Sequence, residues 1–443
     1  IQNIVNAYNA IRENADGTAN NYANNPTQAQ YALIGVTGVN SSEKESLLGD
    51  AIDGKPFSAV DSVPEVQALA DAAAAVIAST TGGTAPTQAQ LTALGITGVT
   101  STNLAAVQAA IAANGSGAAG VDTLTELQTV VTNAAAAAAA LDAIKTAAEN
   151  NSAGTTPSVA DFATAGITGV DANNLAAISS ALNSSVVNGA AADTKPEVQA
   201  IVDAYNAIKA NADGTAANYA TNPSQAQYAA IGVTGVNSAT KESLLGDVVD
   251  AKPFTAVDTV GELQTLADAA AAVMAGAASS TTPAAPTKVQ LEALGITGVT
   301  DANLSAIQAA IAATADDGTG VDTLAELQAV ANAGATNAAN AAAIAAALST
   351  IAAAAQANNA SNTNVPASVF ATAGVTGVDA NNVAAIQSAL NDSDVQSAQA
   401  DTTAKVQAVV DAYNAIKANA DTASTANATQ AQYAAIGVNG IDN

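Results

Sequence analysis

Cysteine, histidine and tryptophan are absent from these 443 residues, and arginine occurs once, at Arg12. Without thiols there are neither disulfides nor thiolate metal sites, so stability has to come from packing and from neighbouring segments. Without His or Cys, acid-base chemistry would fall to carboxylates, Lys and Tyr. The recurrent Glu65, Glu126 and Glu262 sit where a helix cap explains them, so no catalytic constellation is read and an enzyme is the weakest functional class. Base is scarce as well: 11 Lys and Arg stand against 38 Asp and Glu, a net charge of −27. Phosphate binding needs clustered cations, which argues against nucleic acid as a partner. Only 11% of residues are charged, so the imbalance comes from missing base rather than from a dense acidic coat. Such a charge favours solubility and keeps chains apart. The few cleavage points for trypsin-like proteases suit an extracellular or bacterial cell-surface location.

Aromatics are 3% of the chain and the 49% hydrophobic fraction is mostly alanine, so the core is expected to be thin. The run "VVTNAAAAAAALDAIKTAAEN" carries Asn133, Asp142 and Lys145. It is too polar and too alanine-rich to span a bilayer, and no membrane insertion is expected. Neither a signal peptide nor an initiator methionine stands at Ile1, and both ends fall inside repeats, which reads as a window on a longer chain.

What is present is repetition. A corner of the form G-[IV]-[TN]-G-[IV] occurs seven times, at Gly35 and Gly38, Gly95 and Gly98, Gly166 and Gly169, Gly232 and Gly235, Gly295 and Gly298, Gly374 and Gly377, and Gly437 and Gly440. A longer period is superimposed: the 40 residues from Ile1 match those from Val198 at 31 positions. Three kinds of repeat, A, B and C, therefore cycle in order. The boundaries read as the end of a preceding repeat at 1–25, A at 26–84, B at 85–155, C at 156–221, A at 222–284, B at 285–364, C at 365–427 and a truncated repeat at 428–443.

Each repeat spells three helices. A capping box opens a short one, as at Thr27 with Gln30, Thr87 with Gln90, Ser224 with Gln227, Thr287 with Gln290 and Thr429 with Gln432. In C the box varies, with Ser158 paired to Asp161, and "PASVFATAG" is one residue shorter. The first corner glycine ends the short helix and the intervening Ile or Val is expected to dip into the core. New caps follow at Asn40, Thr100, Asp171, Asn237, Thr300 and Asp379. A third box, Ser62 with Glu65 and its relatives at Thr123, Thr194, Thr259 and Thr323, opens the longest helix; at the sixth, Lys405 follows Thr402 instead. Neither glycine nor proline occurs from Val121 to Ser152, so one helix is expected to join two repeats. The fold class is all-α: a tandem array of small three-helix bundles, a rod or solenoid if the long helices are shared and beads on linkers if they are not.

The stretch "LTALGITGVTSTNLAAVQAAIAANGSGAAGVDTLTELQTVV" from Leu91, with its copies, resembles the GA module of bacterial surface proteins, and more closely the GA-like repeats of very large adhesins of Gram-negative bacteria. The resemblance covers nearly the whole chain, once per repeat. It implies a three-helix bundle, display at the cell surface and, in some members, binding of serum albumin. Albumin binding is not carried over: the albumin binders have a Ser-Asp pair after G-I-T where this chain has G-[IV], and the middle helix here is largely alanine.

Two further motifs invite a function. The turns "NADGT" at Asn14 and Asn211 and "ADDGTG" at Ala315 lack the ligand set of an EF-hand loop. Asp16 and Asp213 read as turn residues, and the expectation is no cofactor beyond a weak surface calcium site. Tyr8, Tyr205 and Tyr413 align, as do Tyr22 and Tyr219, and Tyr31, Tyr228 and Tyr433. They read as core packing, since Tyr31 stands where other repeats have Leu91 and Leu291. The alternative makes Tyr8, Tyr22, Tyr205, Tyr219 and Tyr413 contact points with other chains. The functional expectation is a structural stalk or fibre of a surface protein in adhesion and biofilm. Its alternatives are a self-assembling filament and a multivalent binder of a host or matrix protein, with partners being copies of the same chain or another surface protein.

Overall fold

The computed structural model describes residues 1–18, 25–115, 120–150, 156–215, 222–278, 285–315, 317–357, 365–421 and 426–441. The described residues are all-helical apart from loops, short 3-10 turns and two isolated bridges, Asp16 with Pro56 and Asp213 with Pro253. After α1 (Gln2–Asn14) the helices come as α2 (Gln28–Leu33), α3 (Ser42–Asp53), α4 (Val63–Ser79), α5 (Gln88–Leu94), α6 (Leu104–Ala113) and α7 (Leu124–Asn150). Next are α8 (Val159–Thr164), α9 (Leu175–Leu182), α10 (Lys195–Asn211), α11 (Gln225–Ala230), α12 (Ala239–Asp250) and α13 (Val260–Ala277). The last are α14 (Lys288–Ala293), α15 (Leu304–Ala312), α16 (Leu324–Ala357), α17 (Ala367–Thr372), α18 (Val383–Leu390), α19 (Thr403–Asp421) and α20 (Gln430–Ala435). The chain divides into two compact bodies, Ile1–Asn237 with Val249–Gln264, and Ser238–Val248 with Thr265–Asn443.

Capping chemistry sets the helix starts. The reciprocal box forms at Thr27 and Gln30, Thr87 and Gln90, Ser224 and Gln227, Thr287 and Gln290, Thr429 and Gln432, and Ser158 and Asp161. At α17 the N-cap is Pro366 and has no side-chain bond, so that helix starts without one. The middle helices depart from expectation in two ways. In A the cap moves one residue on, from Asn40 to Ser41 and from Asn237 to Ser238, whose hydroxyls accept the amides of Lys44 and Lys241. In B and C the expected residue and an Asn three positions later bond each other across a preliminary turn, as Thr100 does with Asn103 and Asp171 with Asn174.

The packing interleaves. The short helix lies on the long helix before it, α2 on α1, α5 on α4, α8 on α7, α11 on α10, α17 on α16 and α20 on α19. The middle helix lies on the long helix after it, as α3 on α4, α6 on α7, α9 on α10, α15 on α16 and α18 on α19. In the first body Tyr31, Leu47, Leu91, Val107, Leu127 and Val131 belong to one continuous cluster, and in the second Ile351, Phe370, Ile386, Val406 and Val410 do. Burial of each such side chain contributes about 1.5–3 kcal/mol.

Two helices outrun the rest. α7 has 27 residues and α16 has 34. Each is buried at both ends: Leu127 and Val131, then Ile144, Ala147 and Ala148 in α7; Leu327 and Ala331, then Ile351, Ala354 and Ala355 in α16. The extra seven residues of α16 add two turns, about 10.5 Å, and rotate the far face by only about 20°. The same contacts can therefore form further along. By length and mean hydropathy, 1.3 and 1.6, both helices would pass for membrane spans. Here alanine supplies the hydropathy, and both helices pack into cores at each end.

Candidate functional site: corners and joints

All fourteen corner glycines have positive φ, between 76° and 98°. At each corner two backbone bonds wrap the end of the short helix. At the first, the Gly35 amide donates to Ala32 O (3.1 Å) and the Val36 amide to Tyr31 O (3.0 Å), which is the Schellman pattern. The same pair recurs at Gly95, Gly166, Gly232, Gly295, Gly374 and Gly437. The residue after the glycine is drawn into the core: Val36, Ile96, Ile167, Val233, Ile296 and Val375 are each 3% exposed. Val438, in the last corner, is 42% exposed.

The second half of the corner is held by a side chain that the sequence reading did not single out. The amide group of Gln67 in α4 pairs with the peptide of Thr37: Thr37 N–H donates to Oε1 (2.8 Å) and Nε2 donates to Thr37 O (3.1 Å). Gln128 does the same for Thr97, Gln199 for Thr168, Gln264 for Thr234, Gln328 for Thr297 and Gln407 for Thr376. A glutamine five residues after each Ser or Thr that opens a long helix was the available signal. A side-chain amide matches a peptide donor for acceptor, so one residue satisfies both polar groups that the turn leaves over.

Successive repeats also touch through polar joints. The Leu124 amide at the start of α7 donates to Asp50 Oδ2 in α3 (3.0 Å), and the Leu324 amide of α16 to Asp247 Oδ2 in α12 (3.1 Å). At the start of α13 the Val260 amide donates to Ser180 Oγ in α9 (3.1 Å). In each case a helix N-terminus, which has spare N–H groups, is capped by the preceding repeat. Asp50 and Asp247 are each 2% exposed.

The tyrosines divide. Tyr31 and Tyr228 are fully enclosed at the corner position that Leu91, Phe162, Leu291 and Phe370 fill elsewhere. Burial, with the negative Glu45 nearby, pushes the Tyr31 hydroxyl far above its ordinary value. Tyr205 of α10 is also fully enclosed, with Ser180 of α9 beside its hydroxyl, which removes it from the set of contact points. Tyr8 and Tyr413 are half-buried. Tyr22 and Tyr219 lie outside the described residues.

The "NADGT" turn is tied to the end of α3: the Thr18 amide and hydroxyl both donate to Asp16 Oδ1, and the Gly17 amide donates to Asp53 O (3.2 Å). Among the described residues no three acidic side chains converge as metal ligands would. Carboxylates in exposed caps, Glu65, Glu197 and Asp161, are held below their ordinary range by the hydroxyl and amide donors of Ser62, Thr194 and Ser158. Comparison of the chain with protein-family models, with curated proteins and with solved structures gives no match.

Proposed function

We propose that the chain is a structural repeat region of an extracellular bacterial surface protein, acting as an extended stalk or fibre in adhesion and biofilm, and that the repetition is itself the function. The observation that carries this reading is the corner clamp, built six times with the same glutamine-to-threonine geometry. The recurrent polar side chains are spent on holding corners, caps and joints. Repeat arrays gain stability from each unit and from its interface with the next, so length can change without redesign. The likeness of the G-I-T corner to GA-like adhesin modules supplies the cell-surface setting and the three-helix description of each repeat.

A second reading is self-assembly into filaments, favoured by the near-identity of the segments from Ile1 and Val198, because a lattice needs contacts that recur. Negative-stain microscopy with sedimentation over a hundredfold range of protein concentration, with and without calcium, separates the two. Single thin particles at every concentration support the stalk. Concentration-dependent fibres would replace it with the filament, and globular particles would overturn both.

A further inference from the structure

We propose that the joint between the first A and B repeats is an acid-strengthened brace, which grips the start of α7 more firmly as the medium moves from neutral towards the carboxyl range. The geometry is a cluster of carboxyl groups around one capped helix end. Asp50 of α3 accepts the Leu124 amide (3.0 Å) and a hydrogen bond from Asn25 Nδ2 to its other oxygen (3.3 Å). Asp53 on the same helix and Glu126 of α7 both act on Asp50. Asp122, in the turn before α7, faces Glu126 and Glu43, and its Oδ1 is buried with no hydrogen-bond donor. None of these groups is a cation. Lys44 on α3 turns to Asn40 Oδ1 (2.8 Å). The other helices packed on α3 bring Arg12 and Glu13 from α1, and Glu65 and Asp71 from α4, all of them exposed.

Two effects oppose each other at Asp50. The helix N-terminus and its amide favour the charged form, whereas burial and two like charges favour the neutral one. Burial wins: Asp50 is raised above its ordinary value by desolvation first, and Asp122 by desolvation and then by its contact with Glu126. A carboxyl raised on folding contributes stability that is fully present below its unfolded value and is lost as pH rises through the folded one. A protonated Asp50 still offers Leu124 a carbonyl oxygen, so the cap survives while the repulsion goes. The second body has the same helix-end bond, Asp247 to Leu324, with Asp322 beside it raised by desolvation and by Glu326. The first turn of α10 is the opposite case, because Glu197 is lowered by Thr194, so its contribution is lost as pH falls through the folded value.

Amide hydrogen exchange on the whole chain from about pH 7 to about pH 4.5, corrected for intrinsic rates, tests this. Protection at Leu124 and Leu324 is expected to rise about threefold or more on acidification, while the first turn of α10 shows no such gain. Asp122→Asn is expected to cut the gain at Leu124 and leave the one at Leu324. Asp322→Asn is expected to do the reverse. Protection at Leu124 that stays flat or falls with acid in the unaltered chain overturns the proposal, as does a gain that neither variant changes.

Discussion

Gly95 shows what one residue decides at a corner. Its φ is +98°, and a Cβ added there would meet nothing within 4 Å. Gly95→Ala should therefore cost only left-handed strain, about 1–2 kcal/mol, read as a lower urea midpoint with an unchanged slope. The clamp is the other single-residue test. Gln128→Ala removes both bonds to the Thr97 peptide, with those to the Thr97 and Thr132 hydroxyls, at an exposed site and is expected to cost about 1 kcal/mol by the same measurement; no change would mean that water replaces the clamp. The glycines were legible because positive φ has a residue-level signature. Gln128 was not, because a glutamine on a helix surface looks like any solvated residue until the corner of the same repeat folds against it.

At the scale of the helix, alanine is the informative residue. From Asn340 to Ala346 every residue of α16 is exposed, and no packing holds this stretch helical. Alanine has the highest intrinsic helix propensity, and the two buried ends supply the nucleus that a free helix would lack. Gly334, in the same helix, is the exception with a reason: a Cβ there would stand 2.6 Å from Ile307 Cα and 2.9 Å from Ala306 O of α15. Gly334→Ala gains about 1 kcal/mol of propensity. It also forces two backbones apart, at about 1–3 kcal/mol. The expected outcome is a lower melting temperature, and a higher one would show that α15 moves freely. Sequence marked the continuity of α7 through the lack of glycine and proline from Val121 to Ser152, whereas α16 runs on through Gly334. Sequence also placed the capping boxes of the long helices and of every short helix but α17, whereas the middle-helix caps moved: by one residue to Ser41 and Ser238, where two adjacent polar residues compete for one cap, and by three to Asn103 and Asn174.

Over the whole molecule the charge imbalance dominates. Among the described residues four ion pairs form, all at least partly exposed, from Lys209, Lys288, Lys405 and Lys417. Each is worth about 0–1 kcal/mol, too little to offset the self-repulsion of a net −27. Raising the ionic strength from about 0.01 M to about 0.15 M shortens the screening length from about 30 Å to about 8 Å. The melting temperature is expected to rise by scanning calorimetry, and a fall would mean that cap and dipole interactions outweigh the repulsion.

Sequence alone determined the helical class, the order of short, middle and long helices, and the left-handed corners, because propensity, capping and φ are local properties carried by a few neighbouring residues. Tertiary structure decided the rest. Each short helix packs on the long helix before it, while the corner that ends it is held by the long helix after it, so one long helix serves two partners. Tyr205 became core, Gln128 became a clamp and Asp50 became the cap of a helix 74 residues away. Those roles depend on which surfaces meet, and spacing along the chain does not encode that.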